Sequence, residues 1–112
     1  LGGAIAPGLQ MRLKALNAFT AKLPLITAET PQDLIGKNTK ESILSGVVNG
    51  MINELEGTIE AYKLRYPIMK VILTGGDLPF FDKKLKNGIF ADEDILLNGM
   101  YFILKHHANK NL

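Results

Sequence analysis

Apolar positions along this chain change their spacing several times, and each change predicts an element. Leu9, Leu13, Leu16 and Phe19 recur near helical spacing with Arg12, Lys14 and Asn17 facing water between them, so "LQMRLKALNAF" predicts an amphipathic helix with Pro7 at its first position. Ahead of it, Gly3 to Ala6 reads as a short strand stopped by Pro7-Gly8. Lys22 to Pro31, "KLPLITAETP", combines β-branched residues with two prolines and reads as a short strand leading into a loop. Gly36 and Asn38 mark a turn, and Asn38 or Thr39 can cap a long helix from roughly Lys40 to Arg65, closed by Pro67. Met69 to Thr74, "MKVILT", is a nearly continuous apolar run, as expected of a strand buried on both faces of a mostly parallel sheet. A short helix is predicted from Leu78-Pro79 through "FFDKKLK", then a turn at Asn87-Gly88. Ile95, Leu96, Met100, Ile103 and Leu104 return to helical spacing in "EDILLNGMYFILKHH", with acids first and cations last, an order that complements the helix dipole.

Strands alternating with helices predict a three-layer α/β domain. Only two or three strands are evident, too few for an independent sheet, so the sheet is expected to continue into chain beyond this sequence. The opening Leu1-Gly2-Gly3 starts in mid-structure and also suggests a piece of a longer protein.

Within the long helix, Gly46, Asn49, Gly50, Asn53 and Gly57 fall close to one line, with Ser42 beside them. Leu44, Val48, Met51, Leu55 and Tyr62 cluster opposite and are expected to face the sheet. Three helix-interior glycines cost about 1 kcal/mol each relative to alanine. Solvent does not require that, whereas a second helix approaching closely does, and a two-fold dimer is the commonest way to supply one. The alternative is a loop of the same chain lying over the glycines.

Composition narrows the chemistry. The 112 residues are 46% hydrophobic and 21% charged, as in ordinary globular domains, and the net charge is only +2. The 13 basic and 11 acidic residues are spread along the chain with no basic stripe, which disfavours nucleic acid and membrane surfaces as partners. Cysteine is absent, excluding disulfides and thiol chemistry, and no apolar run reaches the ~18 residues of a membrane span. A cytoplasmic location is expected. His106 and His107 are neighbours that point about 100° apart on a helix, poorly placed to share a metal, and read as solvated tail residues. No triad, carboxylate dyad or metal-ligand cluster can be assembled.

Three stretches carry the candidate chemistry. Gly75-Gly76-Asp77 follows the apolar run at a strand's carboxyl end, where ligands gather in open α/β sheets and where glycine lets backbone N–H groups approach an anion or a flat base. A tight turn with Asp77 as an N-cap explains the same residues. Gly2, Gly3 and Gly8 bracket the first apolar segment beside a helix N-terminus, and strand-to-helix packing is the alternative there. In "GKNTKES", capping uses one of Asn38 and Thr39 and leaves the other for a ligand. Neither G-x-G-x-x-G nor G-K-[ST] occurs.

Taken in order, "GGAIAPGLQMRLKAL", "NTKESILSG" and "VILTGGD" resemble the GGxIxPG, NT-x-x-x-[IM]-x-SG and TGGD segments of the type III pantothenate kinases, also described as the Bvg accessory factor family, and "DEDILLNGMYFIL" is similar to the family's terminal helix. The likeness covers essentially the whole chain and is specific as an ordered set. It implies an α/β, ribonuclease-H-like half-domain of the actin-like ATPase superfamily, with a short, mostly parallel or mixed sheet flanked by helices. Residues 1–112 would form one domain, the C-terminal half of a two-lobed kinase. The implied activity is ATP-dependent phosphorylation of pantothenate to 4′-phosphopantothenate, opening coenzyme A synthesis, in a homodimer that needs Mg2+ and a monovalent cation, potassium or ammonium. The resemblance places Gly75, Gly76 and Asp77 at ATP, Gly3 and Ile5 near pantothenate, and Thr39 on the pantothenate bound by the partner subunit. Thr39 adjoins the helix carrying the expected dimer residues Gly46, Asn49, Gly50 and Asn53. The family's catalytic aspartate in G-x-D-R, its D-x-G-N-T phosphate segment and its D-x-G-T-A segment have no counterpart here, so this chain alone is expected not to turn over. Two rival readings remain: a non-catalytic regulatory or dimerisation module of the Bvg accessory factor type, and a sugar or acetate kinase relative.

Overall fold

The computed structural model describes residues 2–81, 84 and 85, and the backbone of 90 and 91. The expected turn at Asn87-Gly88 and the expected terminal helix with His106 and His107 lie outside the described residues. The chain divides into two units, Leu1–Thr58 and Ile59–Leu112.

In the first unit, α1 spans Leu9–Ala18 and buries Leu9 and Leu13. Gly8 is its N-cap, so Pro7 stands one residue before the cap rather than at the expected first helical position; its carbonyl accepts from Arg12 Nε at 2.8 Å. Beyond α1 the chain satisfies itself locally. Asn17 Nδ2 donates to the Leu23 carbonyl at 2.9 Å, and Thr20 Oγ1 accepts from the Leu23 amide at 3.3 Å.

The long helix begins one residue earlier than expected and is not uniform: α2 at Thr39–Leu44, a π turn at Ser45–Asn49, then α3 at Gly50–Arg65. Asn38 is the cap, its Oδ1 accepting from the Glu41 amide at 2.8 Å, while Glu41 Oε2 accepts from the Lys37 amide at 2.9 Å. This is a capping box displaced by one residue. Asn38→Ala is expected to destabilise by about 1 kcal/mol, read as a lowered urea midpoint with unchanged slope.

A constant 100° period predicted a narrow apolar stripe, but Ile43, Leu44, Ser45, Val47 and Val48 are all buried. The π turn adds a residue to the helical circuit, and α1 packs on it, so the inward face widens. Among the described residues Leu9, Leu13 and Val48 are the most completely enclosed side chains, each contributing roughly 1.5–3 kcal/mol. Arg12, expected to face water, instead donates from Nη2 to both Glu54 carboxylate oxygens at 2.8 and 3.0 Å, tying α1 to α3.

The expected strands are largely absent among the described residues. Gly3 to Ala6 is irregular and exposed, and Lys22 to Pro31 forms no strand. A ladder needs a neighbour, Pro24 has no N–H to donate, and the Leu23 backbone is already engaged by Asn17 and Thr20. In the second unit, the run expected from Met69 to Thr74 shrinks to β1, Ile72–Leu73, paired parallel with β2, Phe90–Ala91, in the register Ile72 to Phe90 and Leu73 to Ala91. Ile72 is 53% exposed, so the run is not buried on both faces. The helix expected after Gly76 is a single 3-10 turn, Leu78–Phe80. The described fold is therefore helix-rich with a two-residue parallel bridge, short of the expected sheet flanked by helices. Among the described residues no helix is long and apolar enough to cross a membrane.

Candidate functional site

The turn after β1 is built around two glycines with different constraints. Gly75 has φ +117°, a conformation that L side chains rarely adopt. Its carbonyl accepts from the Leu78 amide at 3.3 Å, closing a four-residue turn, and Asp77, at φ −88° and ψ 3°, has the third-residue geometry of a type I turn. The Asp77 side chain does not cap the 3-10 turn that follows, contrary to one sequence expectation. Gly75 and Gly76 are both exposed, and a Cβ built on either would meet nothing within 4 Å. Packing among the described residues therefore does not require glycine at 76. The open backbone there suits close approach by a planar or anionic ligand.

Thr39, at the start of α2, is exposed, and because Asn38 takes the capping role the Thr39 hydroxyl is not needed for it. The loop before α2 and the first helical turns border a cavity of about 520 Å³ whose lining includes Glu29, Asp33, Lys37 and Lys40. Lys40 Nζ and Glu29 Oε1 pair across it at 3.0 Å. Thr39 does not line this cavity. Ile5 is fully exposed, and a Cβ at Gly3 would meet nothing within 4 Å, so the structure does not gather these two with Thr39.

On the long helix, Gly46, Gly50 and Asn53 are exposed, and a Cβ at Gly46, Gly50 or Gly57 would meet nothing within 4 Å. Asn49 is half-buried and turns toward Ser45, donating from Nδ2 to Ser45 Oγ at 3.2 Å. Sequence reasoning missed three features here: the Ser45 hydroxyl, the role of Glu41, and the close approach at Gly36. Only Glu41 had a legible signal, since Asn38-x-x-Glu41 is a capping-box spacing. Among the described residues no group of three or more His, Cys, Asp or Glu could hold a metal ion.

Comparison with known proteins follows the same residues. A family model described as type III pantothenate kinase matches residues 1–61, just over half of the chain. The chain is 50% identical over 110 residues to a type III pantothenate kinase of Christiangramia forsetii, covering 98% of this chain and 45% of that protein. It is 49% identical over 107 residues to one of Cytophaga hutchinsonii, covering 96% and 46%, and 49% identical over 109 residues to one of Bacteroides fragilis, covering 97% and 45%. The chain thus spans a little less than half the length of these curated relatives. With its ordered glycine segments and a match over nearly its whole length, this chain belongs to the type III pantothenate kinase family.

Proposed function

We propose that the chain is the C-terminal half of a two-lobed kinase that transfers the γ-phosphoryl group of ATP to pantothenate, giving 4′-phosphopantothenate at the start of coenzyme A synthesis. The fold is then a ribonuclease-H-like half-domain of the actin-like ATPase superfamily. The observation that carries this reading is the open turn at Gly75-Gly76, where among the described residues nothing stands within 4 Å of a Cβ built on either glycine, in a chain of this family. Gly75 and Gly76 border the nucleotide through their backbone, and Asp77, half-buried and released from capping, faces the same ligand. Thr39 orients pantothenate held by the partner subunit, while Gly3 and Ile5 close the pantothenate pocket only in the complete protein. Mg2+ supplies neutralisation of charge on the transferring phosphoryl, and a monovalent cation, potassium or ammonium, assists. The base that orients the pantothenate hydroxyl belongs to the G-x-D-R segment, which this sequence lacks. The location that follows is cytoplasmic.

The deciding assay is pantothenate-dependent ATP consumption. The full-length polypeptide is expected to turn over and the 112-residue chain is not. An inactive full-length protein overturns the kinase reading. A regulatory or dimerisation module remains as the alternative, and thermal shift separates the two: ATP and pantothenate raise the melting temperature of a kinase and leave a non-binding module unmoved.

The homodimer forms along Gly46, Asn49, Gly50 and Asn53. Gly50→Leu tests it, because among the described residues a Cβ at Gly50 meets nothing within 4 Å and leucine raises helix propensity by about 1 kcal/mol. The variant is expected to run as a monomer with unchanged helix content in solution-mass and circular-dichroism measurements. A Gly50→Leu protein that keeps the dimer mass removes this stripe from the interface.

A further inference from the structure

Ser45 is the one buried polar side chain among the described residues, and a buried hydroxyl is retained only when its hydrogen bonds are made. Its Oγ donates to the Leu34 carbonyl and accepts from Asn49 Nδ2 at 3.2 Å. It sits at the first position of the π turn, an insertion that recurs at functional sites. The Leu34 end of that bond lies five residues before Thr39. Hydrophobic packing does not hold the intervening loop, since Leu34 and Ile35 are 73% and 72% exposed. Polar ties and one backbone contact hold it instead: Ser45 at Leu34, the Gly36 backbone against Ser42, Glu41 at the Lys37 amide, and the Asn38 cap.

We infer that Ser45 is a positioning residue for pantothenate: it locks Leu34 to the π turn, and so sets where the Asn38-Thr39 corner presents the Thr39 hydroxyl to the substrate. This rests on the proposed contact between Thr39 and pantothenate. Ser45 touches no substrate, so its effect must pass through Thr39. The far end of the loop is anchored by the Asn38 cap and by Glu41 at the Lys37 amide, and the Ser45 bond is the tie that fixes its start at Leu34.

The test is a double-mutant cycle in the full-length enzyme with Ser45→Ala, Thr39→Val and the pair. Ser45→Ala is expected to raise KM for pantothenate about tenfold, with kcat and KM for ATP within about twofold of wild type. Because one residue acts through the other, the double variant is expected to match Thr39→Val alone, whereas additive effects overturn the inference. Amide hydrogen exchange over residues 34–39 gives a readout independent of turnover, and Ser45→Ala is expected to accelerate it about tenfold or more without changing exchange in α1. Unchanged exchange there also overturns the positioning role. If exchange accelerates but Thr39→Val leaves KM for pantothenate at the wild-type value, the Thr39 contact is the reading that fails, and with it the link from Ser45 to substrate.

Discussion

Gly36→Ala is expected to destabilise the protein by about 3 kcal/mol, the upper end of the usual range for overpacking. A Cβ at this position would stand 2.3 Å from the Ser42 amide nitrogen, 2.5 Å from its Cα and 2.6 Å from the Glu41 carbonyl carbon. Each of these atoms belongs to helical backbone, so no side chain can swing aside; either the loop or the first turn of α2 must move. Moving the loop strains the Ser45 bond to Leu34 and the Glu41 bond to the Lys37 amide. Urea unfolding of wild type and variant measures the loss, and a midpoint shift worth under about 1 kcal/mol would show that the loop does not sit against the helix.

Gly76→Ala is expected to leave stability within about 0.5 kcal/mol of wild type while weakening ATP binding at least about tenfold. Nothing lies within 4 Å of a Cβ there, and its φ lies outside the left-handed region, so the folded protein accepts a methyl group without strain. A nucleotide lying against the backbone does not. Gly75→Ala separates the two kinds of demand on glycine, because φ +117° makes it strained as well and adds roughly 1–2 kcal/mol of destabilisation. Calorimetric titration of both full-length variants with ATP, alongside thermal unfolding, measures the difference. Wild-type affinity in Gly76→Ala would mean that the pair of glycines serves the turn alone.

Much of this protein was legible as short-range pattern. The helix from α2 to α3, its stop before Pro67 and the cap at Asn38 follow from residues within one or two turns of each other, and the hydrogen bonds that realise them are equally local. The family was legible from the order and spacing of glycine-containing segments, because those mark where backbone must pass close to something. The strands were less legible. "MKVILT" has strong strand propensity, yet the strand described within it is the two-residue β1 at Ile72–Leu73, since a strand exists by virtue of its neighbour and propensity supplies none. The Arg12–Glu54 ion pair, 42 residues apart in sequence, and the Ser45–Leu34 bond, 11 apart, leave no periodic trace.

By itself, then, the sequence determined the family, the helices over residues 9–18 and 39–65 and the need for glycine at Gly75 after the apolar run, all consequences of local conformational preference. Tertiary structure decided the rest. It placed the π turn that swings Ser45 inward, the contact that makes Gly36 obligatory, and the open space that, among the described residues, lies beside Gly76. The physical reason is common to all three: steric contact and hydrogen bonding act between atoms brought together across the fold, and a linear pattern of apolar and polar residues specifies only which side of an element faces inward.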